Sequence, residues 1–167
     1  MKKMQLMFSV LLTFITLFSV SLCSAMENEP DGIFGISWGT DIKDIESEFI
    51  FVRNYTTLYD DVKVYVKKSD DLKFESINLT KTQFVFWKDK LYLAFISTEN
   101  EETQSLIQTL TDKHGEPRFV QLNGGELYAW QGINTNIYVV ESRNIGTTSF
   151  SSISLSAELE QGKISKQ

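Results

Sequence analysis

Polar and apolar residues alternate with a period of two over several stretches of the chain, which is the pattern of half-buried β-strands. Valine alternates with lysine and tyrosine over residues 62–67. Residues 82–95 predict a hairpin whose two-residue turn is Lys88 and Asp89. In that register Phe84 faces Leu93 across the hairpin. The predicted apolar face carries Phe84, Phe86, Leu91, Leu93 and Phe95, and the predicted amphipathic face carries Val85, Trp87, Tyr92 and Ala94.

Two other stretches have apolar residues at helical spacing. Thr40 is predicted to cap a helix over 41–49, whose apolar residues lie on one side. Thr98 begins a capping-box pattern for a second helix, over 99–114. Gly115 fits the position just after the end of that second helix.

The remaining sequence predicts short strands separated by turns rich in glycine and asparagine. Phe150 is out of phase with the apolar residues after it, which indicates a bulge near Ser151 and Ser152. No internal repeat is evident. Two helices and about seven strands with short connections predict a single α+β domain built on an antiparallel sheet. In addition to the strand at 62–67 and the hairpin at 82–95, strands are predicted at 33–38, 118–121, 126–131, 135–141 and 147–157.

The first 25 residues have the organisation of a secretory signal peptide: two lysines, a long apolar run and a small-residue cleavage site. Cleavage is predicted between Ala25 and Met26, which leaves no transmembrane segment and makes the protein secreted, in the periplasm or outside the cell. Two alternatives are an uncleaved membrane anchor and lipidation at Cys23. The mature chain would then have a flexible tail at 26–32, one domain at 33–158, and a second flexible tail at 159–167.

Net charge and cysteine content bear on the class of partner and on the compartment of the protein. The chain has a net charge of −6, and its leader contributes only basic residues, so the mature protein is more acidic still. Nucleic acid is therefore not an expected partner, because binding to phosphates requires a basic surface. Cys23 is the only cysteine and leaves with the leader. A secreted domain without disulfides is easier to reconcile with a bacterial envelope than with a eukaryotic secretory pathway.

Few residues in the chain could carry catalysis or hold a cofactor. His114 is the only histidine and is predicted to lie at a helix C-terminus, where its charge would meet the helix dipole. One histidine without cysteine excludes an ordinary zinc site. The aspartate pairs 60–61 and 70–71 lack the spacing of a calcium loop and are predicted to be turn residues. The serines at 149, 151, 152, 154 and 156 have no histidine partner and no nucleophile-elbow motif. We therefore predict no catalytic residue, no metal and no cofactor.

Aromatic side chains with polar atoms suggest a recognition surface instead. Trp87, Tyr92 and Trp130 are the candidate binding residues, because tryptophan and tyrosine are enriched at interfaces. The alternative is that one of the two predicted helices covers them.

One segment carries a resemblance to known proteins. FGISWGT at 34–40, followed by an amphipathic stretch, resembles the G-x-x-W-G-T/D opening of uncharacterised exported bacterial domains. Residues 86–92 and 110–117 resemble the later hairpin and helix-end motifs of those domains, with His114 in place of a tyrosine. The helix, Gly-x-Pro and strand order is more distantly similar to outer-membrane assembly lipoproteins and β-lactamase inhibitor proteins. The resemblance implies a small exported α+β binding module and carries over no catalytic residue.

Two functional hypotheses follow from the sequence. The first is a non-catalytic module that binds an envelope protein or a small ligand through a sheet face or edge. The second is a small enzyme that uses two carboxylates, for example on a glycan. The enzyme hypothesis predicts a pair of carboxyl groups in a cleft with raised pKa values.

Overall fold

The computed structural model describes residues 26–54, 61–68, 72–142 and 145–164. The predicted leader with Cys23 and Ala25, together with Asp60, Asp70 and Asp71, lies outside these residues. Within them the chain forms a mixed α/β domain with an eight-stranded antiparallel sheet and three α-helices, more elements than the sequence predicted.

The strands and helices follow one another in the order listed here. The first half contains β1 (Gly32–Ile33), β2 (Ile36–Ser37), α1 (Ile42–Ile45), a 3-10 turn (Glu46–Glu48), β3 (Phe49–Asn54), β4 (Val62–Lys67), β5 (Lys73–Phe74), β6 (Ile77–Asn78), β7 (Lys81–Trp87) and β8 (Lys90–Glu99). The second half contains α2 (Asn100–His114), β9 (Arg118–Leu122), β10 (Gly125–Gln131), β11 (Thr135–Ser142), β12 (Ile145–Ser152) and α3 (Ile153–Ile164).

The large sheet has the spatial order β3-β4-β7-β8-β12-β11-β10-β9. Each half of the sheet is a four-stranded meander that follows a helix: α1 precedes the first meander and α2 precedes the second. The two meanders meet through their last strands, because β8 pairs antiparallel with β12. The repeat that the sequence did not show is therefore present in the topology.

The hairpin of β7 and β8 is where the sequence prediction can be checked most closely. Its two-residue turn at Lys88 and Asp89 is confirmed, since both residues have the positive φ of a type I′ turn. The predicted pairing of Phe84 with Leu93 is wrong, because a register shift after Val85 moves Phe84 opposite Ala94. Leu93 and Phe95 consequently join Val85, Trp87 and Tyr92 on one face, while Ala94 and Ile96 join Phe84, Phe86 and Leu91 on the other.

One face of the sheet, called the covered face here, carries the main core. The helix α2, predicted at 99–114 and confirmed at Asn100–His114, lies against β8, β11 and β12 on this face. Gly146 of β12 lets the first turn of α2 approach closely, because a Cβ there would overlap Thr103. Thr98 is buried and bonds to the Thr103 hydroxyl, so the predicted capping box does not form. The largest fully buried side chains of the main core are Phe84, Phe86, Ile77, Leu91, Ile96, Leu106, Leu110 and Ile137.

Two other predicted elements are wrong in detail. The strand predicted at 33–38 is a small hairpin, β1 and β2, that turns at Phe34 and Gly35. The helix predicted at 41–49 is a single turn whose N-cap is Asp41 rather than Thr40, with the Asp41 carboxylate accepting from the Lys43 N–H. The 3-10 turn Glu46–Glu48 follows, and β3 begins at Phe49.

The C-terminal prediction is corrected as well. The strand predicted at 147–157 ends at Ser152 without a bulge, and α3 begins at Ile153, where the backbone N–H donates to Asn134 O at 2.7 Å. Leu155 and Leu159 of α3 pack on the opposite face of the sheet against a second buried cluster. That cluster is Val62, Val64, Val85, Trp87 and Tyr92. Residues 159–164 therefore belong to the fold and are not a loose tail.

The N-terminal residues 26–31, called the strap here, are also part of the fold rather than a flexible tail. Met26 is buried in the main core. The Glu27 N–H donates to His114 O at 3.0 Å and the Asn28 amide donates to Lys113 O at 3.0 Å. These bonds satisfy carbonyls at the C-terminus of α2 that the helix itself leaves free. The strap thus serves as a cap supplied from a distant part of the sequence.

Glu29 anchors the other end of the strap. Burial alone would raise its pKa, but the backbone N–H groups of Asn134, Thr135 and Ile133 favour the carboxylate, and the net pKa lies below the usual value of 4.5. A carboxyl group with a depressed pKa stabilises the fold above its unfolded pKa, and this contribution is lost as the pH falls through the folded pKa.

We predict that Glu29→Gln lowers the melting temperature in neutral buffer, because the amide oxygen replaces a charged acceptor with a weaker one. The difference between the two proteins should shrink as the pH is lowered from about 6 to about 3, where the wild-type carboxylate is protonated too. Melting curves measured across this range check the prediction. A difference that is constant with pH would show that the carboxylate charge does not hold the strap.

Candidate binding surface

The face opposite the covered face is only partly occupied by α3. Beyond the helix, the side chains of β9 to β12 on this side have no element packed over them among the described residues. Three cross-strand rows define this area, which we call the open surface. The rows are Ser149-Tyr138-Ala129-Arg118, Thr147-Val140-Leu127-Val120 and Ile145-Ser142-Gly125-Leu122.

The open surface combines apolar and polar side chains with few charges. Arg118, at the β9 end of the first row, is its one charged residue, in a chain in which 23% of residues are charged. Its larger aliphatic side chains remain in contact with solvent: Val140 is 39% exposed, Leu122 40% and Ile145 52%. Serine, threonine and tyrosine hydroxyls lie between them. A low density of charged residues is typical of the core of a protein interface.

The scaffold beneath the open surface makes it rigid. The alternate residues of the same strands point into the main core, where Ile137 and Val139 of β11 have no exposed area and Phe150 of β12 is 2% exposed. Four adjacent strands at their usual spacing make the surface about 15 Å wide between the outer strand axes. A surface on core strands is preformed and presents a fixed pattern to a partner.

The three aromatic residues predicted as a binding surface do not form one. Trp87 and Tyr92 are 8% and 7% exposed and lie beneath α3. Trp130 is 2% exposed on the covered face, and its Nε1–H donates to Gly115 O at 2.7 Å. A helix does cover two of these side chains, but it is α3, which the sequence prediction lacked. All three residues therefore contribute to packing.

The single histidine has a structural partner. His114 is buried at the end of α2, and its Nδ1 is 3.0 Å from Glu27 O. Because a carbonyl oxygen only accepts, Nδ1 must carry a proton and donate it.

The serines near the end of the chain do not form one group. Ser149 and Ser151 lie on the side of the open surface, Ser152 lies on the covered face, and Ser154 and Ser156 lie on α3.

Carboxylates meet at one place on the sheet. Glu126 of β10 and Glu141 of β11 are direct cross-strand partners. Each has a neutral donor: the Tyr128 hydroxyl donates to Glu126 at 2.6 Å, and the Gln104 amide donates to Glu141 at 2.6 Å. The bond to Glu126 is the largest cause that raises the pKa of Tyr128 to about 12. Both carboxylates of the pair therefore act as hydrogen-bond acceptors for neighbouring side chains. The part of the chain that the structure describes contains no cluster of three or more metal-ligating side chains.

Among the residues that the structure describes, two carboxyl groups have pKa values clearly shifted by the fold, and both shifts are downward. Glu29 is one of them. Asp89 is the other, because the Lys63 ammonium donates a hydrogen bond of 2.7 Å to it, with Lys43 at 3.3 Å adding to the effect. A general acid requires a shift in the opposite direction. These two groups are anchors for the strap and for the turn between β7 and β8.

Sequence reasoning did not identify the open surface, although part of its signal was visible. The strand β12 alternates Ile145, Thr147 and Ser149 with buried positions, and Val140 holds the equivalent place on β11. A strand whose outward residues are uncharged is unusual for a solvated surface on an acidic chain. That signal becomes useful only when the register across the strands is known.

Comparisons of the chain with protein-family models, with characterised proteins and with solved structures found no significant match. Among the described residues, none of the helices combines the length and the apolar character needed to cross a lipid bilayer.

Proposed function

We propose that this protein is an exported, non-catalytic module that binds a folded protein partner of the cell envelope through the open surface. The observation that carries the proposal is the partly exposed sheet face formed by β9 to β12, whose only charged residue is Arg118 at one edge. An acidic protein that leaves several aliphatic side chains in contact with water at one place has a preferred site for association.

The shape of the open surface favours a protein over a small molecule. Small ligands are bound in concave sites that enclose most of their area, whereas this surface is the flat side of a sheet. Its central row, Thr147-Val140-Leu127-Val120, provides an apolar strip that a partner can desolvate. The flanking hydroxyl of Ser149 can donate to a partner and accept from it. Ser142 already donates to Ile145 O and can accept from a partner, whereas Tyr138 already accepts from Gln131 and can donate to a partner.

The exported location in this proposal rests on the leader. Met26, the first residue after the predicted cleavage site, is also the first residue of the strap and is packed into the core. Cleavage before Met26 would therefore leave every described residue in place. The partner is expected in the same compartment as the mature protein.

The test compares two variants that add the same charge at different places. Val140→Lys inserts a cation at the centre of the open surface, and Ile133→Lys inserts one at an 81% exposed position in the turn between β10 and β11. After mild crosslinking in the native envelope, partners of the tagged proteins are captured and quantified by mass spectrometry. We expect Val140→Lys to lower recovery of the partner about tenfold, because an unpaired charge would be buried in the interface. Ile133→Lys should behave as wild type.

Both variants should retain the wild-type melting temperature within a few degrees, since each changes a side chain in contact with solvent. Equal recovery of a partner by Val140→Lys and wild type would contradict the proposal. Loss of the partner from Phe51→Lys instead would place binding at the edge strand β3, where Phe51 is 50% exposed.

A further inference from the structure

A pocket of about 450 Å³ lies on the covered face, on the other side of the sheet from the open surface. The strap, the hairpins β1–β2 and β5–β6, and the last turn of α2 surround it. Its lining includes Asn28, Phe34, Phe74, Lys113, His114 and Phe150. The volume falls within the range of sites that enclose small molecules.

Aromatic rings form one side of this pocket. Phe74 lies between two others: its ring centroid is 6.0 Å from that of Phe34, edge to face, and 5.7 Å from that of Phe150. Phe34 and Phe74 are only partly buried, although they pack on the main core. An aromatic guest could therefore add a ring to an existing set of edge-to-face contacts.

The backbone at Phe34 is unusual in a way that points to the same pocket. Phe34 has a φ of +52° at the first turn position of the β1–β2 hairpin, where asparagine or glycine is normally favoured. A bulky residue in this conformation is strained, and such strain persists where the surroundings or a function require the side chain. Here the strained backbone holds the Phe34 ring at the pocket, where its centroid is 5.9 Å from the centroid of the Phe84 ring.

The polar side of the pocket has a defined hydrogen-bonding character. Nδ1 of His114 donates to Glu27 O, so in the neutral ring Nε2 carries the lone pair and is an acceptor. Nε2 makes no hydrogen bond among the described residues. The neighbouring Lys113 forms an ion pair with Glu75 of the β5–β6 turn, which neutralises its charge at the rim. The pocket therefore places the His114 acceptor beside an apolar wall, with the charge of Lys113 already paired, and suits a neutral ligand that carries a hydrogen-bond donor.

We propose that this pocket binds a small aromatic molecule that bears one hydroxyl or N–H group, with the ring against Phe34, Phe74 and Phe150 and the donor on Nε2 of His114. The inference is independent of the proposed function, because the two sites lie on opposite faces of the sheet. A protein partner on the open surface could be lost while this pocket remains functional, and the reverse.

The test uses p-cresol as the probe and toluene as its matched control without a hydroxyl. The single histidine of the chain makes the ring protons of His114 an unambiguous NMR reporter in tag-free protein. We expect p-cresol to shift these signals saturably, with intermolecular NOEs to the ring. Toluene should bind about fivefold more weakly, since it lacks the hydrogen bond. Phe74→Trp should weaken p-cresol about tenfold by filling the pocket, whereas Phe119→Trp, on the far edge strand β9, should not.

The proposal would be overturned by unsaturable or absent shifts at about 10 mM p-cresol, a concentration far above any affinity useful for recognition. Equal affinity for p-cresol and toluene would remove His114 as the hydrogen-bonding residue and overturn the ligand class. The titrations of wild-type protein are decisive on their own, should Phe74→Trp prove poorly folded.

Discussion

Replacing Trp130 by alanine is expected to destabilise the protein by about 3–5 kcal/mol, a large part of the stability of an ordinary domain. Trp130 is 2% exposed in the main core, and its indole N–H donates to Gly115 O just beyond the end of α2. The substitution therefore leaves a cavity and an unpaired carbonyl at the same place. It should also loosen the junction between α2 and the second meander.

Trp130→Phe separates the two contributions, because it retains most of the ring but not the hydrogen bond. Its expected cost is about 1–3 kcal/mol. Phe119→Ala is the matched control: Phe119 is 51% exposed on β9, and its loss should cost less than about 1 kcal/mol. Urea unfolding followed by circular dichroism measures all three. A Trp130→Ala protein as stable as the control would mean that this side chain is not part of the core.

Replacing Leu159 by glutamate is the second change with a large expected effect, about 2–4 kcal/mol. Leu159 is 7% exposed and contacts the second buried cluster, which includes Val62, Val85 and Trp87. A carboxylate there has no basic partner among the residues of that cluster, so α3 should detach from the sheet. Detachment limits the cost, because the helix can separate while the main core stays folded.

Hydrogen exchange gives the sharpest readout of this change. Amides of α3 should lose protection in Leu159→Glu, while those of β8 and β11 keep most of theirs. Glu158→Gln, at the exposed neighbouring position, should leave the exchange pattern unchanged. If α3 keeps full protection in Leu159→Glu, Leu159 does not hold the helix on the sheet.

The hairpin of β7 and β8 shows how far local sequence patterns can predict this fold. The alternation of apolar and polar residues, together with the Lys88-Asp89 turn, was sufficient to predict both strands and the first residue pairs next to the turn. The shift after Val85 could not be predicted, because a bulge adds one residue without a distinctive sequence signature. The single extra residue exchanged the faces of Leu93, Ala94 and Phe95, and with them the residues assigned to the core.

The sequence prediction missed the boundary between β12 and α3 for a different reason. Ile153 and Leu155 fit both a strand and a helix, since two residues in alternation do not distinguish the periods. Leu159, four positions after Leu155, supports the helix, but it lay in a segment that composition favoured as a tail. Because α3 covers one half of the second face, this error concealed both the burial of Trp87 and the existence of the open surface.

The open surface depends on long-range arrangement, which single-sequence patterns do not encode. Each strand could be assigned two faces, but which face is covered depends on where α2 and α3 pack. The strap is a similar case: its polar sequence resembles a flexible tail, and its order comes from bonds to the end of α2 and from Glu29. Contacts between residues about 85–105 positions apart in the chain determine that order.

The most direct test of the central claim is site-specific photocrosslinking from the open surface in the native envelope. Benzoylphenylalanine is placed at Thr147, an exposed position in the central row, and at Ile133 as the control outside it. The proposed function predicts one discrete protein adduct from position 147 after irradiation and none from position 133. An adduct from position 133 alone, or no adduct from 147 when the partner is captured by other means, would contradict it.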